Sequence, residues 1–182
     1  MIGWCRVRSI AYCSLAIAAY ATSAAAFDPE ALERLNSKPL CPDCDLSKVT
    51  IKDAYLPGAI LKNADLTGAI LKEADLQGAD LSGAKMSGAD LSGARLTHTN
   101  MSGADLTNAN VSNTDMHSTN LEGAVLKGAD LRDARVGYVR LAGANLEGAT
   151  LLGALGFDAS LVVGAKLCKT TMPDGLINNT GC

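Results

Sequence analysis

"GADLSGAKMSGADLSGARL", residues 78–96, is nearly one five-residue phrase written four times. Side chains return to the same face every 3.6 residues on a helix and every 2 on a strand, so neither element explains a period of five. The register extends far beyond this stretch. Every fifth residue from Leu46 to Leu151 is apolar, 22 positions comprising 16 Leu, three Met, two Val and one Ile. A small residue stands two places earlier, Ala at 16 of the 22, the exceptions being Cys44, Val49, Thr99, Thr114, Thr119 and Val139. Asp or Asn often precedes the apolar residue (Asp65, Asp75, Asp80, Asp90, Asn100, Asp105), and Gly often follows it by two (Gly68, Gly78, Gly83, Gly88, Gly93). Self-similarity at a fixed period marks a repeat architecture whose units bury their apolar face only against neighbours. A disordered Ala/Gly chain has no such strict apolar ladder. The expected core is that ladder, represented by Leu46, Leu66, Leu76, Leu81, Leu91, Leu96, Leu106, Leu121, Leu131 and Leu146.

The A-[DN]-L-x-x pattern resembles the pentapeptide-repeat family, and the resemblance covers residues 44–154. It implies an all-β chain, a right-handed quadrilateral β-helix (a pentapeptide-repeat solenoid). Each pentapeptide would form one side and one corner of a square coil, with 20 residues completing a turn. Leu and the Ala before it would point inward, Gly would serve corners that need positive φ, and outer Ser, Thr, Asn and Asp would hydrogen-bond the turns. Stacked at ~4.8 Å, the units would make about five and a half coils, a prism of roughly 25 Å.

The ends of the chain differ from this middle. Arg6 and Arg8 precede an apolar run from Ile10 to Ala21, and Ala24-Ala25-Ala26 offers a small-residue cleavage site. This order of charged, apolar and small residues reads as a secretory signal over 1–26, too short in its apolar part for a stable membrane anchor. The arginines are not adjacent, which favours general secretion over a twin-arginine route. Cleavage would remove both arginines and leave 14 basic against 19 acidic residues, a formal charge of −5. Phe27, Tyr55, Tyr138 and Phe157 would be the only aromatics. The expected location is the periplasm, with the thylakoid lumen or secretion as alternatives, and no membrane contact after cleavage.

Residues 27–43 are read as an N-terminal cap. Asp28 suits an N-cap and Pro29 a first helical position, while Ala31, Leu32 and Leu35 form an apolar stripe, predicting a short helix over 29–36. It would cover an open coil edge that otherwise invites end-to-end stacking. Cys41 and Cys44 follow, and read either as a local disulfide or as a CxxC redox or metal pair. Export and the even cysteine count favour a structural disulfide. At the other end the ladder fails at Gly156, returns at Leu161, and is one residue late at Leu167. Residues 155–182 are therefore an irregular final coil and C-terminal cap. A bridge between Cys168 and Cys182 would enclose the Pro173-Asp174-Gly175 turn and contribute about 3 kcal/mol through loop entropy.

Stacking residues 20 apart, as the resemblance implies, puts Asp75, Arg95, Asp115 and Arg135 in one column of alternating sign, and Asp65, Lys85 and Asp105 in another. Opposite charges across adjacent strands attract, so these columns read as register devices. Lys52 and Lys72 stack as like charges, with Asp53 and Glu73 beside them. Some cytoplasmic members of the resembled family inhibit DNA gyrase as dimers with a DNA-like acidic surface. Here Lys85, Arg95, Arg135 and Arg140 interrupt the acidic columns, so no nucleic-acid mimicry and no nucleic-acid partner is expected. His98 and His117 lie 19 apart and can neighbour each other, but a metal site needs three or four converging ligands. The glycines follow the period of five, not a phosphate-loop spacing, so no cofactor, metal or catalytic residue is assigned. The sequence thus points to a non-enzymatic exported module acting structurally or by binding a protein partner, as a monomer or end-to-end dimer. Topoisomerase inhibition and a redox or metal role are the alternatives.

Overall fold

The computed structural model describes Asp28, Glu30, Ala31, Arg34, Leu35 and residues 39–182. The expected signal at 1–26 lies outside the described residues, as do Pro29, Leu32 and Asn36 of the expected helix. Glu30, Ala31, Arg34 and Leu35 have helical backbone. Asp28 Oδ1 accepts the Glu30 amide at 2.9 Å, as an N-cap side chain does. Ala31 and Leu35 are fully buried with the first coil's interior.

From Leu40 onward the chain is a ladder of single parallel bridges, each joining a residue to the one 20 later: Leu40 to Ile60, Asp45 to Asp65, Thr50 to Ile70, Tyr55 to Asp75, and so on to Arg135 and Leu155. A coil of 20 residues therefore contains four five-residue segments. No segment is long enough for a conventional strand, because every fifth residue alone sits in the bridge before the chain turns.

The motif follows from the backbone accounting of one segment, residues 80–84. Asp80 N donates to Ala59 O of the previous coil at 2.8 Å, and Leu81 N and Gly83 N donate to Asn100 O and Ser102 O of the next at 2.7 and 2.9 Å. Ala84 N closes the corner on Leu81 O at 3.1 Å. Ser82 N is left, and Asp80 Oδ1 accepts it at 3.0 Å. All five amides are thus satisfied, which is what a backbone folded this tightly requires. Asp or Asn before the apolar residue is the acceptor for the one amide the coils leave over, repeated at Asp65, Asp90, Asp105, Asn110 and Asp130.

The corner is a turn with positive φ at its third residue, the geometry of a type II turn. That slot is left-handed at every fifth residue from Asp43 to Gly153, and 12 of its 23 occupants are glycine. The interior is Leu over Leu and Ala over Ala. The ten representative leucines named above are all at most 1% exposed. Where Thr replaces Ala, its hydroxyl finds a carbonyl: Thr99 to Leu76 O at 2.8 Å, Thr119 to Leu96 O at 2.6 Å, and Thr114 to Val111 O at 2.7 Å.

The 20-residue bridges run as far as Leu155, and one expectation beyond them is corrected. Leu161 does not return to the axis. It lies half-buried in a short 3-10 helix, Ala159–Val162, capped by Asp158 Oδ1 on Ser160 N at 2.8 Å. That helix replaces a flat segment and inserts one residue, so the next bridges span 21: Asn145 to Lys166 and Thr150 to Thr171. Leu167, displaced by that residue, is the buried axial side chain. Strand β1 (Thr170–Thr171) then pairs antiparallel with β2 (Ile177–Asn178).

Candidate functional site

The interior is packed, so the side chains able to meet a ligand or partner stand outward on the segments and corners. Their placement follows from the 20-residue register, which stacks four columns of bridged residues. One begins at Leu40 and continues through Asp80, Asn100 and Asn120 to Arg140. In it Asn100 Nδ2 donates to Asp80 Oδ1 at 3.1 Å and Asn120 Nδ2 to Asn100 Oδ1 at 3.2 Å, an amide ladder running along the solenoid.

The charged columns are real but pair less uniformly than stacking implies. Arg95 Nη1 meets Asp75 Oδ2 at 3.0 Å, whereas Lys85 Nζ reaches Asp65 Oδ2 only at 4.0 Å. Asp115 and Arg135 are bridged through their backbones, yet among the described residues neither side chain has an ion-pair partner. Long side chains instead reach diagonally. Lys72 meets Asp90 at 3.4 Å, Arg140 meets Glu122 at 2.6 Å and Lys166 meets Glu147 at 2.8 Å, while Lys127 pairs straight along the stack with Glu147 at 3.2 Å. A flexible cation spans the gap between columns as readily as the step between coils, so alternation along one column does not decide the partner.

Several carboxylates are held below their ordinary values. Asp80 is lowered chiefly by the Ser82 side chain, against the opposing effect of burial, with further help from the Ser82 amide, Lys62 and Asn100. For Asp130 the Arg132 side chain dominates, bonding it at 2.6 to 3.0 Å. At Glu147 the Lys166 and Lys127 ammonium groups lower the pKa. These pairs are exposed and steady the surface modestly.

The four described cysteines form two disulfides, Cys41–Cys44 and Cys168–Cys182. Cys41 and Cys44 occupy the axial and small-residue slots of the first segment, so their bridge fills core volume where Leu and Ala stand elsewhere. Cys168–Cys182 ties down the tail that contains β1 and β2. The histidines do become neighbours: His98 N donates to His117 O at 3.0 Å. The His117 ring packs edge-on against Tyr138, with ring centroids 5.1 Å apart and planes at 76°. Among the described residues no three His, Cys, Asp or Glu side chains are placed to hold a metal ion, and no helix is long and apolar enough to cross a membrane.

Tyr138 was not singled out by sequence reasoning. The available signal was an inversion. In "RVGYV", residues 135–139, Gly stands one place early, and an aromatic occupies the positive-φ slot (φ 57).

Comparison with known proteins agrees with this architecture. The family model described as pentapeptide repeats matches residues 44–83, 74–113, 84–123 and 124–154. No curated protein matches the chain. Among solved structures, the chain is similar to the pentapeptide repeat protein Rfr23 of the cyanobacterium Cyanothece 51142, at 26% identity over 66% of this chain and 92% of that one, TM-score 0.44. It is also similar to a trypsin-treated QnrB1, a plasmid-mediated fluoroquinolone resistance protein, at 22% identity over 69% and 66% of the two chains, TM-score 0.53. A third similar structure is a pentapeptide repeat protein from the Arabidopsis thaliana thylakoid lumen, at 31% identity over 72% and 83%, TM-score 0.26.

Proposed function

Because the chain belongs to the pentapeptide-repeat family, we propose that it is a right-handed quadrilateral solenoid, capped at its N-terminus by the helical segment, that acts outside the cytoplasm as a non-enzymatic structural or protein-binding module. The observation that carries this reading is the division of labour between inside and outside. Axial leucines are buried throughout and their alanines are buried apart from the half-buried Ala54, while polar side chains and exposed apolar ones face outward on rigid, hydrogen-bonded segments. Such a surface engages a partner by shape and polar contacts, with a small entropy loss because it is already ordered. The two disulfides suit an oxidising compartment.

Two experiments test this. Intact mass of protein from the envelope fraction, with and without reduction and alkylation, should start at Phe27 and lack four hydrogens; a full-length mass with free thiols would defeat the export reading. A partner recovered by the native protein and lost after charge reversals on one side would support the binding module. Recovery unchanged by reversals on all sides would defeat it. Topoisomerase inhibition by DNA mimicry needs a continuous anionic strip, which Lys85, Arg95, Arg135 and Arg140 interrupt. A supercoiling assay with gyrase should accordingly show no inhibition.

A further inference from the structure

The side that begins at Tyr55 carries a column unlike the other three. It runs Tyr55, Asp75, Arg95, Asp115, Arg135, Leu155, each bridged in parallel to the next. Followed in one direction the column is apolar, minus, plus, minus, plus, apolar. In the other it is apolar, plus, minus, plus, minus, apolar. Two copies laid face to face and antiparallel therefore oppose Tyr55 to Leu155, Asp75 to Arg135 and Arg95 to Asp115 at every level. This is the self-complementarity that an isologous two-fold interface demands. A parallel arrangement would set like charges against each other. The same operation on the remaining columns fails, since it opposes Leu40 to Arg140, Asp105 to itself in the column from Asp45 to Lys166, and Asp90 to Asp130 in the column from Thr50 to Thr171.

We propose that this side is a dimerisation surface on which a second copy of the chain packs antiparallel, about a two-fold axis lying in the interface between the levels of Arg95 and Asp115. The proposal does not rest on the binding-module reading.

Three features of the side fit a covered surface. Its two apolar ends are exposed in the single chain, Tyr55 by 49% and Leu155 by 57%. Arg135 and Asp115 have no ion-pair partner among the described residues, which leaves them available to Asp75 and Arg95 of a second copy. The inverted Gly137-Tyr138 lies at its corner. Gly137 does not have positive φ and is the only glycine in the slot after the axial residue between Pro42 and Leu152. It makes room, because His117 lies over it. Tyr138 takes the left-handed slot instead and is 76% exposed, propped by the His117 ring. Departures from local rules at one place are where function is expected. In the antiparallel pair the Tyr138 level faces that of Gly78, a bare corner with open space around its Cα. A protruding ring meets an empty position, and tyrosine is among the residues enriched in interface cores.

The contact uses one side of a slender solenoid, so the dimer is reversible and favoured at low salt. Sedimentation velocity on the full chain, from micromolar to millimolar concentration and at low and high salt, should show a salt-sensitive monomer–dimer equilibrium. Arg135→Glu, which breaks no ion pair among the described residues, should weaken it at least tenfold, and Asp75→Lys should do the same. Mixing the two variants should restore dimers, because each reversed charge then meets the other while native Asp75 meets native Arg135. Tyr138→Gly should weaken dimerisation while leaving the melting temperature of the monomer nearly unchanged, because the relieved left-handed strain offsets the lost His117 contact. That variant separates binding from folding even if Asp75→Lys folds poorly. A protein that stays monomeric throughout, or whose association survives Arg135→Glu, overturns the proposal. So does a mixture of folded variants that fails to pair. Association insensitive to these changes would belong to the exposed Leu176 and Ile177 at the C-terminal end.

Discussion

His117 lies directly over Gly137: a Cβ built on that glycine would stand 3.0 Å from the imidazole Nδ1. The glycine is there for space, since its φ is not positive. Gly137→Ala should therefore displace the His117 ring from Tyr138 and lower stability by up to about 1 kcal/mol, the size of a lost aromatic contact. In a thermal-unfolding double-mutant cycle, His117→Ala should remove most of that cost. An additive cycle would show the two residues to be uncoupled.

Tyr138 pays for a left-handed backbone that suits glycine, as does Glu73 at φ 58. Such a conformation costs a side chain about 1 kcal/mol or more, part of which the greater freedom of unfolded glycine offsets. Glu73→Gly should raise the melting temperature of the monomer, measured by calorimetry at dilute concentration, whereas Tyr138→Gly, which also gives up the His117 contact, should leave it nearly unchanged. A fall for Glu73→Gly would contradict the turn assignment.

Leu91 is fully buried near the middle of the ladder. Leu91→Ala would leave a cavity between rigid coils that have little freedom to collapse, and should cost about 2–5 kcal/mol by denaturant titration. Thr119→Val, an isosteric change that deletes the hydroxyl donated to Leu96 O, should cost only about 1 kcal/mol, because Leu96 O keeps the Thr99 amide.

Asp80 and Asp130 are held below the ordinary value of 3.8 by the hydrogen bonds of Ser82 and Arg132, respectively. A carboxylate depressed in the fold contributes stability that is fully present above its unfolded pKa and is lost as pH falls through its folded one. The protein should therefore hold constant stability on this account down to about pH 5 and lose it progressively below pH 4. Asp80→Asn, which keeps an acceptor for the Ser82 amide, should flatten part of that acid slope. An unchanged slope would show that Asp80 does not carry it.

Cys168–Cys182 spans 14 residues and Cys41–Cys44 only three. Loop entropy assigns about 3 kcal/mol to the first and about 2 to the second. Replacing Cys168 and Cys182 together by Ser should lower stability by the larger amount and increase amide exchange in 170–178, leaving the middle coils protected. Loss of protection along the whole ladder would show that the tail is needed to nucleate it.

Much of the fold was legible because a solenoid repeats one local solution. The axial residues, the small-residue slot, the irregularity after Gly156 and the cysteine-bounded ends all appear as events in a period of five. The Asp/Asn preference was also readable, although its reason, the single amide the coils leave unbonded, emerges only when all five donors are followed. Tyr138 was less legible because an exposed aromatic means little until its backbone angle and the ring beneath it are known.

The sequence by itself determined what lies inside, since periodic apolar residues must be removed from water whatever the handedness of the coil. Only the tertiary structure decided what lies beside what. The 3-10 turn at Ala159–Val162 moved the final coil from a 20- to a 21-residue register, and Lys72 and Arg140 found carboxylates diagonally across the surface. The reason is physical: burial acts on each residue separately and leaves its mark in composition, whereas a contact depends on two side chains and on the backbone path that brings them together.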